Sequence, residues 1–214
     1  MKTYRYIVTA LILTWFVAAL TISALGGFSN AYNRLGVSVA FGASVPLIAF
    51  VLWFSVSKHF REYTLSVSPT LLTASQAFRL VGFTFVLLEA HRSLPAIFAL
   101  PAGYGDMFIG ATATFVAWKF TRNNHRGAFI TWQFLGILDL VTAVALGISS
   151  PFLEPHGIPI TLMTVLPLSL IPTFFVPLFL IFHVICIAQA RTWEPESAQN
   201  NQGLGPVRPV SLNA

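Results

Sequence analysis

Along this chain, apolar runs too long for the helices of a soluble core alternate with short polar clusters. About 20 residues at a rise of 1.5 Å cross a hydrocarbon layer about 30 Å thick, so apolar runs near or above 18 residues read as membrane spans. The pattern predicts six, at about 6–26, 36–56, 72–91, 105–120, 129–149 and 161–190. The expected fold class is therefore all-α, a six-helix transmembrane bundle occupying residues 1–190. Between the second and third runs, KHFREYTLSVSP reads as a short amphipathic linker that lies at the membrane interface. From Arg191 onward the chain is polar and rich in Pro, Gly and Asn, and residues 191–214 are predicted to be a disordered cytoplasmic tail. Lys2 and Arg5 ahead of the first run resemble a secretory leader. Yet the run from Ile7 to Gly27 exceeds the roughly 7–15 apolar residues of such leaders, so a retained helix is expected.

Composition strengthens the membrane reading. Hydrophobic residues make up 56% of the chain and charged residues 9%, against about 25% charged in soluble domains. The formal charge of +5 is spread singly between apolar runs rather than gathered into a stripe, which argues against nucleic acid as a partner. Basic residues instead set an orientation. With the N-terminus in the cytoplasm, Lys2, Arg5, Lys58, Arg61, Lys119, Arg122, Arg126, Arg191 and Arg208 fall inside, and Arg34 and Arg92 fall outside. Both termini are then cytoplasmic, and Trp53, Trp118 and Trp193 sit near the cytoplasmic interface. Small residues at every fourth position, Gly36, Ala40 and Ser44 on the second span and Asp139, Ala143 and Gly147 on the fifth, predict faces where backbones approach closely. The lone Cys186, in an apolar run, reads as a buried small hydrophobe.

The candidate chemistry is carried by polar residues inside the runs. Arg79 in QAFRLVGF and Asp139 in GILDLVTA are each costly in hydrocarbon, by about 2.5–3.5 kcal/mol at a helix centre, and should face each other or a wet cavity. His183 lies at a depth similar to that of Arg79, and Gln76 and Gln133 extend a polar cluster in the cytoplasmic half of the bundle. Such a cluster reads either as a buried ion pair that fixes helix register or as a relay or binding site for an ion. Pro167, Pro172 and Pro177 predict a kinked sixth helix with open backbone carbonyls.

FALPAGYGDMFIG, residues 98–110, predicts a broken or short fourth helix. From Asp106 to Phe120 the helical rise falls short of a bilayer core, so Asp106 is expected to cap a half-helix after a break at Pro101, Gly103 and Gly105. Glu89, His91, Arg92 and Asp106, with Glu154 and His156 opposite, are expected to line an outer mouth. No zinc-ligand spacing is present, so no metal is assigned, and His91 and His183 fall toward opposite faces, which argues against a bis-histidine haem. G-x-S-x-G, H-E-x-x-H and Walker A are all missing, and no cofactor is implied.

QAFRLVG, FALPAGYGD, GILDLVTAVALG and PLSLIPTFFVPLFLIFH together resemble a group of uncharacterised bacterial multi-pass inner-membrane proteins. The resemblance implies an inner-membrane location and a similar helical fold, and no activity or ligand. The chain departs from the group at His91 and Arg92, which weighs against His91 as a catalytic residue. The expected function is a small integral membrane protein that binds or transports an ion or small solute. A membrane-embedded enzyme acting on a lipid or quinone, and a structural subunit of a homo-oligomer or membrane complex, are the alternatives.

Overall fold

Ser57 and Ser68 stand immediately before helices, and each hydroxyl accepts a hydrogen bond from a first-turn backbone N–H, of Phe60 at 3.2 Å and of Leu71 at 3.3 Å. They cap the two short helices that turn the chain between the second and third long rods. The structure, a computed structural model, describes residues 2–29, 37–122 and 125–193, and these are helical with no strand among them. In chain order the helices are α1 (Lys2–Ala24), α2 (Val37–Val56), α3 (Lys58–Leu65) and α4 (Pro69–Ala74). A 3-10 segment (Ser75–Gly82) joins α4 to α5 (Phe83–Ala90), and α6 (Ala96–Arg122) and α7 (Arg126–Leu153) follow. A second 3-10 turn (Ile160–Thr164), a π turn (Ile171–Phe175) and α8 (Val176–Ala190) close the described chain.

Among the described residues, five helices are long and apolar enough to cross a membrane: Thr3–Ala24, Ser38–Val56, Pro69–Ala90, Arg126–Leu153 and Ile171–Ala190. The expected count of six differs at one place, α6. It has 27 residues, ample length, but Gly103, Gly105 and Asp106 dilute its apolar character.

Four rods close into a ring. The α4–α5 rod packs on α6, α6 on α7, α7 on α8, and α8 back on α4. α2 lies outside α8, and α1 touches mainly the π turn and α3. The first two helices bury few side chains fully, Ala19 and Ser23 on α1 and Phe50 on α2, and leave much of their surface for lipid. At the end of the bundle that carries α3, Phe50, Phe60, Phe129 and Trp132 form an apolar core with Tyr4, Trp53 and Trp193 against it. Trp53 stacks on Phe60 with centroids 3.9 Å apart, so the amphipathic character read in KHFREYTL places Phe60 and Thr64 inward. Trp193 packs on Phe129, which carries the ordered chain three residues past the expected boundary at 190. The rest of the predicted tail, residues 194–214, lies outside the described residues.

Two expectations about helix breaks are corrected. α6 runs unbroken through Pro101, Gly103 and Gly105, and Asp106 sits in its middle rather than at a cap. Pro101 is only six residues from the helix start, where few intrahelical bonds are lost, and the glycines are held helical because neighbouring rods press on them. The sixth span, expected from about Thr161, is helical as a span only from Ile171. Pro167 and Pro172 supply no N–H, and the stretch before Ile171 is 3-10 and irregular, with a cis Leu166–Pro167 bond. The break falls ahead of α8, not in α6. Of the small-residue faces, Gly36 lies outside the described residues, and the tight position on α2 is Gly42, where an added methyl group would sit 3.1 Å from Thr173.

Candidate functional site

A 3-10 helix turns once per three residues, so residues at i, i+3 and i+6 stack on one face. In the segment Ser75–Gly82 that face is Gln76, Arg79 and Gly82, all buried, and it points into the four-rod ring. α-Helical winding would have rotated these positions apart by about 60° per step of three. The tight winding also lets α6 come close: a methyl group on Gly110 would lie 2.7 Å from the backbone nitrogen of Leu80, and one on Gly103 would lie 3.0 Å from the carbonyl oxygen of Gly82.

Arg79 is the centre of what the ring encloses, its side chain 1% exposed. Nε donates to Oδ1 of Asp106 on α6 at 2.7 Å, and Nη2 donates to Oδ2 of Asp139 on α7. Nη1 reaches the Gly136 carbonyl and Nε2 of His183, each at 3.4 Å. A guanidinium only donates, so His183 Nε2 is the acceptor and its Nδ1 carries the ring proton. That proton is donated to Oε1 of Gln133, whose Nε2 donates to the Thr73 hydroxyl at 3.3 Å. Thr73 in turn lies 3.7 Å from the Cys186 sulfur. His183 is thus held as a neutral imidazole by a donor on the α4–α5 rod and an acceptor on α7.

The two carboxylates and the imidazole each rest on a glycine of another rod. A methyl group on Gly82 would overlap the Asp106 side chain, one on Gly105 the Asp139 carboxylate, and one on Gly136 the His183 ring. The carboxylate oxygens left free by Arg79, Asp106 Oδ2 and Asp139 Oδ1, are the ones nearest Gly82 and Gly105. Asp106 and Asp139 keep 14% and 15% of their side-chain surface exposed, while Arg79 is sealed.

The structure brings together Arg79, Asp139, His183 and Gln133 as their depths led us to expect, and adds Asp106, which the sequence placed at an outer mouth. Gln76 lies beside the cluster without joining it: its Nε2 donates to the Phe179 carbonyl at 3.4 Å, and its Oε1 is buried without a partner among the described residues. Asp106 does not join the expected outer mouth. Glu89 is half-buried near the end of α5, ten residues from Arg79, and among the described residues it makes no ion pair with His91, Arg92, Glu154 or His156. The reason is the unbroken α6, which carries Asp106 about three helical turns past the start of the helix. No group of three His, Cys, Asp or Glu side chains placed to hold a metal occurs among the described residues. Sequence reasoning passed over Gly82 and Gly136 and read Gly105 only as part of a helix break, because the role of all three depends on partners far along the chain. It also passed over Thr73 and Gln189, although His183, Cys186 and Gln189 recur every third residue on α8.

Comparison with curated proteins and with solved structures gives no match. A family described as Domain of unknown function (DUF8737) matches residues 35–191. That stretch contains the whole cluster and the four-rod ring, and leaves out α1. With most of its length matched, the chain belongs to that family.

Proposed function

We propose that this is a small bacterial inner-membrane protein, with both termini cytoplasmic, that binds and transports an ion or small solute through the Arg79 cluster. The observation that carries the reading is a charge count. One guanidinium is shared by two carboxylates, and His183 is held neutral, so the ionised cluster carries one excess negative charge at the centre of the ring. A purely structural ion pair needs no second carboxylate, and an uncompensated charge in hydrocarbon is costly. A proton or a monovalent cation supplies the missing charge. In this reading α6 also crosses and brings the crossings to six, since 27 residues at 1.5 Å rise span about 40 Å, and the scattered basic residues fix the orientation.

The test is purified protein in liposomes with a pH-sensitive dye inside and defined salt outside. Wild type is expected to move protons or the monovalent cation. Asp106→Asn and Asp139→Asn should fold, because each removes the excess charge and leaves Arg79 one carboxylate, yet lose the flux. Flux retained in both variants would remove transport from this account. Altered extracted lipids or a stoichiometric co-purifying subunit would favour the enzyme or the complex instead.

A further inference from the structure

Apart from the cluster, one set of polar groups is unexplained by packing. It runs along the seam between the α4 rod and α8, toward the end of the bundle that carries α3. On α8 the polar positions His183, Cys186 and Gln189 succeed one another at every third residue, and all are buried. Facing them are Gln76, Thr73 and the carbonyl of Pro69. At the far end lies a cavity of about 150 Å³ lined by Leu65, Pro69, Gln189, Thr192 and Trp193.

Two acceptors on this seam have no donor among the described residues, Gln76 Oε1 beside the cluster and Gln189 Oε1 beside the cavity. The Gln189 amide is not simply reversed. Its Nε2 donates to the carbonyls of Leu65 at 3.0 Å and Val67 at 2.6 Å, which only a nitrogen can do. Gln76 is 1% and Gln189 6% exposed, and a buried acceptor left unpaired is expensive enough that such groups are nearly always paired, with water where protein supplies no donor. The cavity is large enough for several water molecules, and polar partners of the required kind line it. Between the two orphaned acceptors, the Thr73 hydroxyl and the Cys186 thiol each both donate and accept, and lie 3.7 Å apart. That contact leaves no gap for a hydrated metal ion.

We propose that this seam is a hydrated path by which the cluster exchanges a proton with solvent at the α3 end of the bundle. The proposal rests on the reading of the cluster as a cation site and names its cation as a proton. A proton entering at the cavity passes along water held by Gln189, the Cys186 and Thr73 groups and water held by Gln76. It then adds to a carboxylate oxygen that Arg79 leaves free, Asp106 Oδ2 or Asp139 Oδ1, and cancels the excess negative charge. Its departure restores that charge, and no electron is transferred. Water on Gln76 bypasses the Gln133 amide, which relays a proton only by passing through an imidic acid.

The experiment uses the native thiol as its reporter. The full chain in lipid nanodiscs is exposed to a brief X-ray pulse, and oxidation of Cys186 by radicals formed from adjacent bound water is read by mass spectrometry. Cys186 is fully buried, so a dry seam leaves it intact. The control is a thiol at a lipid-facing position two residues away, Val184→Cys in a Cys186→Ala background, where 41% exposure faces hydrocarbon. The expected result is oxidation of Cys186 at least an order of magnitude faster than that of the control thiol. Thr73→Val, which keeps the side-chain shape, should slow both this oxidation and proton flux while leaving the melting profile cooperative. Cys186 oxidised no faster than the control overturns the path. Such a result leaves the cation site standing if Asp139→Asn still abolishes flux. Rapid oxidation with proton flux unchanged in Thr73→Val overturns the assignment of the seam as the route.

Discussion

A methyl group on Gly136 would fall within the imidazole of His183, and one on Gly105 within the carboxylate of Asp139. Gly136→Ala and Gly105→Ala are therefore expected to destabilise the protein by about 1–3 kcal/mol each, the usual cost of forcing extra volume into a packed core. At Gly127, near the start of α7, a methyl group would meet nothing within 4 Å, so Gly127→Ala should be neutral or stabilise by about 0.4–1 kcal/mol. Detergent melts of the three variants check the contrast, and equal melting points would dissolve it. Arg92 makes the opposite case. It closes the turn between α5 and α6 at φ 55, with its N–H on the Glu89 carbonyl at 2.7 Å. That is left-handed backbone, which costs a side-chain-bearing residue about 1–2 kcal/mol and glycine almost nothing. Arg92→Gly should raise the melting temperature, and a lower one would count against this turn geometry.

At the scale of elements, α1 has one well-defined task. Pro177 at the start of α8 has no N–H, so the Thr173 carbonyl loses its ordinary donor four residues on. The Trp15 indole donates to that oxygen at 3.2 Å, and Trp15 and Phe16 pack on Phe174. Trp15→Phe keeps most of the packing and removes the donor, for an expected loss of about 0.5–1.5 kcal/mol. In a Pro177→Ala background the carbonyl regains a helical donor and the loss should shrink. A double-mutant cycle in which the two effects simply add would show that the indole hydrogen bond does not serve the proline break. The charged elements should behave as a set of three. Arg79→Met leaves two carboxylates facing each other without a cation and should cost about 3–5 kcal/mol or more. Removing Asp139 along with it still leaves Asp106 alone, so only the triple replacement Arg79→Met, Asp106→Leu, Asp139→Leu should recover most of the stability. A double Arg79→Met, Asp139→Leu variant as stable as the triple would exclude Asp106 from the network.

For the whole molecule the number of crossings decides the topology. Five crossings place the termini on opposite sides, whereas six place them together, and the difference is whether α6 spans. Six crossings with both termini cytoplasmic, the topology we propose, would put nine basic residues on one side and only Arg34 and Arg92 on the other. Reporters fused before Met1 and after Ala214 should read cytoplasmic, and one inserted near Glu154 should read periplasmic. Termini that report different sides would take α6 out of the membrane.

The sequence by itself determined the class of molecule. Apolar runs of bilayer length, few charges and scattered basic residues follow from composition and period alone, because in hydrocarbon a helix must satisfy its own backbone wherever it lies. Depth along the rods is legible too, and depth alone groups Arg79, Asp139, His183, Gln133 and Gln76, the last of which the structure leaves beside the cluster. The tertiary structure decided what depth cannot express, which is direction around each rod. The 3-10 winding that aligns Gln76, Arg79 and Gly82 goes together with the close approach of α6, whose Gly103 and Gly110 leave room for that segment. The same close approach holds Pro101, Gly103 and Gly105 in one helix, where local propensity argued for a break, and so turns Asp106 from an expected cap into a second partner of Arg79. Local signals set the rods and their polar depths, and contacts between residues 27 to 104 positions apart chose which polar groups meet.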